Sequence, residues 1–519
     1  MLYIPPAGSS DPNASYVGAS TAQQRDGSFV SPEAIEFPLR ELSHLVEASD
    51  QVPTGDDLYQ VVRAIRSGRL SYFDDVSTTP GTIVINSLAA APAHTRYTKG
   101  LPVFVKLNQD ITGATSLNLD GLGARQIYHS GGGQLFKGDY RKGDVIELRG
   151  SADGTSFTAC TPVSQFIIDT ATIKTAHGVS PDFSDLIQAA TWLSRRRIAL
   201  SGNVAFNLPN ATGASKLVYA ADIVLDHPDL ARVTVNGQPL AGSVPAPGGF
   251  TITGYGAGNR IADTAVNLAT LRGIFQTEIA FTGGKGIKIN GPVLIGNLLV
   301  TSDGVSGAGL AATDTIIAYG SGSTLSNVWT AGSGYRGICC SQGSMTLKGS
   351  CGAIGSASDG ISAERGAVIY VQGSAVALSS GARGIRGFLN GQVLSADLVT
   401  SALAAYGNAS DGIAALSGGG VQAASPSASK QNGGSGFAAI TNAWITANNA
   451  SSDGNAVDGF QSWENSQVDA QNATGTNGRF GFYSNISGTI YRSGATCTGA
   501  SAAASPSVGS TGNQGSNIY

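Results

Sequence analysis

The chain has 519 residues, a length that predicts either two or more domains or one long repetitive domain. Its formal net charge is −4 and it contains no long basic run, so nucleic acid is not an expected partner. Its 71 glycines are about twice the usual share but follow no three-residue period, which excludes collagen and indicates many tight turns.

The sequence also argues against metal, cofactor and membrane sites. The five cysteines form no CxxC pair and the five histidines are scattered, so no metal or cofactor is expected and the thiols are predicted to be buried and unpaired. No segment approaches ~18 consecutive apolar residues, so no membrane span is predicted. The first residues lack a basic region followed by an apolar stretch, so no signal peptide is predicted.

Residues 1–75 are predicted to form an N-terminal arm with two short helices. Ser31 is typical of a helix N-cap and Pro32 of the first helical position, and apolar residues then recur at helical spacing as far as Val46. A second amphipathic helix is predicted after Asp57, with Leu58 on its apolar side. Two short helices cannot form a core alone, so we expect them to contact a partner or further copies of themselves.

The next two segments are predicted from a change of pattern. Residues 76–165 contain β-branched or alternating runs bounded by glycine turns, which predicts a small antiparallel β-module. Residues 166–265 are predicted to contain a linker, one helix with apolar residues from Phe183 to Leu193, and the first coils of a β-solenoid. A helix in this position would cap the first coil and cover its unpaired edge.

Residues 266–519 contain a repeat in which a glycine is followed by Ile or Phe, and the glycines are spaced by 23, 24, 28, 24, 23 and 22 residues. The copies are Arg336-Gly337-Ile338, Asp359-Gly360-Ile361, Arg383-Gly384-Ile385, Asp411-Gly412-Ile413, Ser435-Gly436-Phe437, Asp458-Gly459-Phe460 and Phe480-Gly481-Phe482. Stacked coils of this length bury each Ile or Phe against its neighbours above and below. The predicted fold is mainly β: a right-handed parallel β-helix preceded by a small antiparallel β-domain and a short helical N-terminal anchor.

The residues before the anchor glycines form one predicted column, and its first four members alternate in charge: Arg336, Asp359, Arg383 and Asp411. One interpretation is an exposed ion ladder that fixes the register of the coils. The other is a glycan-cleaving pair, since Asp359 and Asp411 would lie roughly 9–10 Å apart, near the upper limit for an inverting glycosidase. Arg383 lies between them and would keep both carboxylates ionised, so the ladder is favoured.

A second set of candidates combines aromatic rings with an acid. Glu464 follows Trp463, and a tryptophan ring can stack on a sugar ring, so Glu464 is a third candidate for a catalytic acid. Tyr370, Tyr406 and Trp463 are candidates for glycan contacts. The sequence has no Walker loop, HExxH motif or nucleophile elbow, so other common catalytic classes are not indicated.

Three segments resemble parts of tailed-bacteriophage tail fibres and tailspikes: the region that attaches to the tail, a small β-module of fibres and collar proteins, and the start of a tailspike β-helix. They include, in that order, Asn13-Ala14-Ser15-Tyr16-Val17 with Pro32-Glu33-Ala34-Ile35, Gly113-Ala114-Thr115-Ser116-Leu117-Asn118-Leu119-Asp120-Gly121 with Asp153-Gly154-Thr155, and Phe183-Ser184-Asp185-Leu186 with Asp226-His227-Pro228.

This resemblance implies a homotrimer in the virion tail, assembled in the host cytoplasm and attached through its N-terminal arm to a phage tail or baseplate protein. It also implies that the β-helix binds a host surface polysaccharide or lipopolysaccharide. The first hypothesis is therefore a structural, receptor-binding tail protein. The alternatives are a polysaccharide depolymerase, either hydrolase or lyase, on the same β-helix, and a bacterial surface adhesin, which the missing signal peptide disfavours. The family's carboxylate groove is not evident here, so no catalytic residue is assigned from it.

Overall fold

The computed structural model describes residues 5–19, 27–87, 93–130, 132–136, 138–162, 167–168, 170–178, 181–302, 313–395, 401–423, 425–505 and 516–519. The chain divides into two compact units, Met1–Phe166 and Ile167–Tyr519. Both contain more strand than helix, which confirms the predicted mainly β class. Within the described ranges, no helix is long and apolar enough to cross a membrane.

The first unit begins with helix α1 (Pro32–Ala48) and helix α2 (Gln60–Arg66). Ser31 caps α1 as predicted, because its hydroxyl oxygen accepts a hydrogen bond from the backbone N–H of Ala34. The apolar residues that the sequence placed on these helices stay largely exposed; Leu39 is 61 % and Ile65 63 % exposed. Within this unit the two helices therefore bury little of their apolar surface.

The rest of the first unit is one seven-stranded sheet with a buried apolar core. In spatial order its strands are Tyr72–Asp74, Pro102–Lys106, Val145–Gly150, Ser156–Ala159, Arg125–His129, Thr115–Leu119 and Thr82–Ile85. The prediction of an antiparallel module is wrong in this respect, because three of the six strand pairs are parallel. Alternating burial reveals which side of a strand faces the core, but not the direction of its neighbour.

The second unit is a parallel β-helix with three faces, and the strand pairs in the part of it that the structure describes are all parallel. The first and second faces share four long strands, which bend from one face to the next: Leu294–Ser302, Ser323–Ala331, Ser344–Ile354 and Val368–Leu378. The first face also contains Ala171–Thr175, Asn203–Asn207, Val233–Asn236, Gln392–Ser395, Gly420–Gln422, Trp444–Thr446, Gln467–Asp469, Thr489–Tyr491 and Asn517–Ile518.

The other two faces are built in the same way. The second face adds Leu217–Tyr219, Glu278–Phe281, Ala402–Tyr406, Ala428–Lys430, Ser451–Asp453, Thr474–Asn477 and Thr496–Gly499. The third face contains Ile223–Leu225, Ile287–Ile289, Ile316–Ala318, Ile338–Cys340, Ile361–Glu364, Ile385–Phe388, Ile413–Leu416, Phe437–Ile440, Phe460–Trp463, Phe480–Asn485 and Ala502–Ser505. A short separate pair joins Ile167–Ile168 to Arg197–Ile198.

The predicted repeat register is confirmed along the third face. The residues after the anchor glycines pair with one another from Ile338 to Phe482, and their side chains are fully buried. Phe437, Phe460 and Phe482 stack with ring centroids 4.9 and 5.4 Å apart, close to the spacing of adjacent strands. One coil cannot bury these rings, so each coil depends on its neighbours for its core.

Stacked amides complete the interior at the corner between the second and third faces. Asn408, Asn432, Asn455 and Asn477 are buried, and each amide of the first three donates to the side-chain oxygen of the next. The four asparagines therefore form a hydrogen-bonded ladder along this corner. Such a ladder satisfies buried polar groups while holding the coils in register.

Helix α3 (Leu186–Ser194) packs against the first coils. Asp185 caps it, and the buried ring of Trp192 lies 5.4 Å from the ring of Phe183 and 6.2 Å from that of Phe206, which belongs to a first-face strand. The helix thus covers inward-facing aromatic residues at the start of the β-helix.

Helix α4 (Ala257–Arg272) is not among the predicted helices, and it spans residue 266, the predicted start of the coils. Its Asn, Gly and Thr residues are weak helix formers, which explains why no helical pattern was recognised. Arg260 donates to the carbonyl of Gly355 at 2.8 Å, and the Ser379 hydroxyl donates to Asp263 at 3.1 Å. Leu268 and Leu271 of α4, together with Phe250 before the helix and Phe275 after it, pack on outward apolar residues of the second face. The second-face residues in this cluster are Leu299, Trp329, Ala331, Ile354, Val376, Leu378 and Ala404.

Candidate functional site

The predicted acidic candidates Asp359 and Asp411 lie at the corner before the third face, in the predicted column. Asp359 is 0 % exposed and forms an ion pair of 3.0 Å with Arg386. Asp411 accepts from the backbone N–H of Ser435 at 2.9 Å and lies 3.5 Å from Arg383. The acids therefore pair with arginines, as the ion-ladder interpretation expected, but Asp359 uses a different arginine from its column neighbours.

A buried network replaces the predicted exposed ladder. Arg336 pairs with Asp314 at 2.7 Å and also with Glu364, and Glu364 in turn pairs with Arg386. Arg336 and Asp411 are each 8 % exposed and Asp359 is 0 % exposed, so the expectation of an exposed ladder is wrong for these three members. The sequence predicts that these residues share a column. It does not predict that Glu364 and Arg386, which project from strands of the third face, pair with the column residues and help to bury them.

The electrostatics of this network disfavour acid catalysis. Burial acts to raise the pKa of Glu364, but the hydrogen bond and charge of Arg336 and the charge of Arg386 outweigh it, so the pKa lies below its usual value. A glycosidase acid needs the opposite shift, because it must hold a proton at neutral pH. Glu364 therefore lacks the raised pKa that a catalytic acid needs.

Glu464 lies at the corner after the third face. Its backbone is left-handed, with φ of 53°, and its carboxylate accepts a hydrogen bond from the Thr441 hydroxyl of the previous coil. Trp463 is a half-buried outward residue of the third face. The hydrogen bond from Thr441 ties the Glu464 carboxylate to the neighbouring coil at this turn.

The three aromatic candidates are not brought together. Tyr370 faces outward on the first face, where it is 40 % exposed. Tyr406 belongs to the second face and Trp463 to the third. Because the three side chains project from three different faces, they cannot form one glycan-binding surface on a single chain.

Tyr406 alone lines a cavity, which has a volume of about 300 Å³. One side is formed by the segment before α4, which begins here as a short 3₁₀ helix, Pro247–Gly249. The other side is the outer surface of the second face. The lining residues are Pro247, Gly248, Phe250, Ile252, Tyr406, Lys430, Gln431, Asp453 and Gly454.

Strand register explains why these side chains meet. Tyr406 pairs with Lys430 and Lys430 with Asp453, so the three residues occupy one outward column on successive coils. The same column continues with Thr476 and Thr498, both exposed. We call the cavity together with this column, Tyr406 to Thr498, the second-face groove.

The charged pair in the second-face groove is held in a fixed geometry. Lys430 Nζ lies 3.1 Å from Asp453 Oδ2, the Ser451 hydroxyl donates to the same oxygen at 2.7 Å, and the Thr476 backbone N–H donates to Oδ1 at 3.1 Å. Partial burial acts to raise the pKa of Asp453, but these hydrogen bonds and the Lys430 charge lower it overall. Asp453 is therefore an ionised acceptor at neutral pH.

Tyr406 supplies a mainly apolar surface beside this pair. Its ring packs against the cluster under α4, and burial, followed by the nearby Asp453 charge, raises the pKa of its hydroxyl. The phenol stays protonated and can donate as well as accept. The groove thus combines an aromatic ring, a cation, an anion and hydroxyls on a rigid sheet.

Of the three side chains in this column, the sequence singles out Tyr406 and predicts no role for Lys430 or Asp453. The signal was present, because Tyr406, Lys430 and Asp453 each lie five residues before a member of the anchor column, namely Asp411, Ser435 and Asp458. What was missing was the segment before α4, which turns a flat strip of sheet into a cavity.

Within the described ranges, no group of three or more His, Cys, Asp or Glu side chains is placed to hold a metal ion. The cysteines in those ranges are free, and all except Cys160 are buried. Neither protein-family models nor curated proteins give a match to this chain.

Proposed function

We propose that the protein is a tail fibre or tailspike protein of a tailed bacteriophage, and that it binds a host surface glycan in the second-face groove. The observation that carries the glycan-binding proposal is the placement of Tyr406 beside the Lys430–Asp453 pair in a cavity of about 300 Å³. The phage assignment rests on the sequence resemblance together with the β-helical fold.

This chemistry suits a sugar. A pyranose has an apolar C–H face, which packs on aromatic rings, and hydroxyls, which both donate and accept hydrogen bonds. Tyr406 and Phe250 offer apolar surface, while Lys430 donates and Asp453 accepts. Because strand pairing fixes these side chains before the ligand arrives, little ordering is needed on binding.

The groove favours binding over cleavage. Asp453 is the one residue with a carboxylate among the described residues that line the cavity. Its lowered pKa suits a hydrogen-bond acceptor and not a proton donor. Hydrolysis by the common mechanisms uses two carboxyl groups, one of them protonated. We therefore propose a receptor-binding role without glycosidase activity in this groove.

The exposed apolar residues of α1 and α2 support the proposed assembly. Leu39 and Ile65 are more than half exposed within the first unit. Surfaces of this kind are commonly covered in an assembly. We propose that they contact further copies of the chain in a homotrimer, or the phage tail protein to which the arm attaches.

Binding of the purified full-length protein to immobilised capsular polysaccharides and lipopolysaccharides from candidate host bacteria tests the proposal. We expect saturable binding to one or a few of these polymers and no release of reducing ends or unsaturated sugars. Failure to bind any polymer from bacteria that the virion infects would reject the glycan-binding role. Release of oligosaccharides would favour a depolymerase, and mass spectrometry of purified virions tests the assignment to the tail.

A further inference from the structure

We infer that the second-face groove is selective for a neutral sugar unit and discriminates against acidic sugars. This inference rests on the proposed glycan-binding function and specifies its ligand class. The inference is based on the charges of the residues that line the cavity and of the outward column from Tyr406 to Thr498.

The groove carries one positive and one negative charge. Among the described outward positions of the second face, from the strand Ala402–Tyr406 to the strand Thr496–Gly499, the charged residues are Lys430 and Asp453. The other described cavity residues are uncharged. The two charges pair at 3.1 Å, so the surface that meets a ligand has no net charge.

Lys430 is therefore a poor receptor for a sugar carboxylate. An acidic sugar would have to share this ammonium group with Asp453, bringing two carboxylates close together at a partly buried site. Like charges at such separations repel, and the repulsion is stronger at a partly desolvated site than in bulk water. A neutral hydroxyl brings no such repulsion.

The unused hydrogen-bonding capacity also matches hydroxyls. An ionised carboxylate offers about four acceptor positions, and Asp453 uses three of them for Ser451, Lys430 and Thr476. One position remains to accept from a sugar hydroxyl. The ammonium group of Lys430 has donors beyond the one directed at Asp453, and such a donor can bond the oxygen of the adjacent sugar hydroxyl.

The surface beyond the charged pair is neutral and rich in hydroxyls. Thr474 pairs with Thr496, and Thr476 with Thr498, so four exposed threonines form two short columns on successive coils. Adjacent coils are ~4.8 Å apart, which is similar to the length of one sugar unit. A neutral glycan lying along the coil axis would meet a repeating set of hydroxyls.

The test uses oligosaccharides prepared from the surface polysaccharide that binds in the panel above. They are made in two forms: one with all carboxyl groups reduced to alcohols, and one with primary hydroxyls oxidised to carboxylates. Affinities of full-length protein are measured by isothermal titration calorimetry at low salt. We expect the reduced, neutral form to bind at least roughly tenfold more tightly.

Two substitutions make the test specific to the charged pair. Asp453→Asn leaves Lys430 uncompensated, so the preference for the neutral form should fall by roughly tenfold or reverse. Lys430→Gln leaves Asp453 uncompensated, so the preference should rise. Asp469→Asn, on the outward side of the first face, is the matched control and should leave the ratio of affinities unchanged. Thermal melting confirms that each variant is folded.

Equal or tighter binding of the carboxylate form would overturn the inference while leaving the glycan-binding function intact. The same conclusion follows if Asp453→Asn and Lys430→Gln leave the ratio unchanged although both variants are folded. If the protein binds none of the surface polysaccharides in the panel, both the proposed function and this inference are rejected.

Discussion

Arg386 and Asp359 lie on neighbouring coils of the third face and form an ion pair of 3.0 Å in which the aspartate is completely buried. Arg386 also pairs with Glu364, so one guanidinium compensates two buried carboxylates. We predict that Arg386→Met destabilises the β-helix by roughly 3–5 kcal/mol, because it leaves both carboxylates without this partner. Urea unfolding of the full chain, followed through the β-helix transition, measures the loss.

The control for this substitution is Arg365→Met. Arg365 is exposed at a corner of the same region, and its replacement should change the free energy of unfolding by less than about 0.5 kcal/mol. A similar effect of both substitutions would show that the buried network contributes nothing specific.

Glu364 should make the stability of the β-helix depend on acid pH. Its pKa in the folded protein lies below the usual value of a glutamate, because the hydrogen bond and charge of Arg336 and the charge of Arg386 outweigh the effect of burial. The stabilisation is therefore complete above the unfolded pKa and is lost as the pH falls through the lower folded pKa. Urea midpoints measured between neutral pH and pH ~3 should fall less steeply for Glu364→Gln than for the wild type. Urea midpoints that fall equally steeply for Glu364→Gln and the wild type would contradict a lowered pKa of Glu364.

The amide ladder should also be essential for the stacking of the coils. Asn432 is fully buried; its side-chain oxygen accepts from Asn408, and its amide group donates to Asn455 and to the Ala405 carbonyl. We predict that Asn432→Ala costs at least ~2 kcal/mol of unfolding free energy, because several buried polar groups lose a partner. Asn210→Ala removes an exposed amide with one long hydrogen bond of 3.3 Å and should have little effect. Equal urea midpoints for Asn432→Ala and wild type would refute a structural role of the ladder.

The repeat was predictable because its signal depends on local sequence and coil stacking alone. The glycine that precedes Ile338 and its counterparts recurs in sequence, and the structure stacks the residues that follow in one register. The network around Arg386 was not predictable, because it depends on where long side chains turn after leaving the sheet. The Lys430–Asp453 pair was readable as a column, but its cavity depends on a segment more than 150 residues earlier in the chain, 247–252.

The role of Tyr406 can be separated from that of the other aromatic candidates. Tyr406→Ser removes the ring from the cavity, and we predict that glycan affinity falls by roughly thirtyfold, as expected when a central aromatic contact is truncated. Tyr370→Ser removes an exposed tyrosine from the first face and should leave the affinity unchanged. A larger loss of glycan affinity for Tyr370→Ser than for Tyr406→Ser would indicate that the glycan binds on the first face.

The most direct measurement compares glycan binding by Gly248→Trp and Gly242→Trp in the full-length protein. A Cβ atom added at either glycine meets nothing within 4 Å, so both variants are expected to fold, but Gly248 lines the cavity and Gly242 does not. We predict that Gly248→Trp abolishes binding to the surface polysaccharide that the wild type binds, while Gly242→Trp binds like the wild type. Unchanged binding by folded Gly248→Trp would contradict the second-face groove as the glycan site.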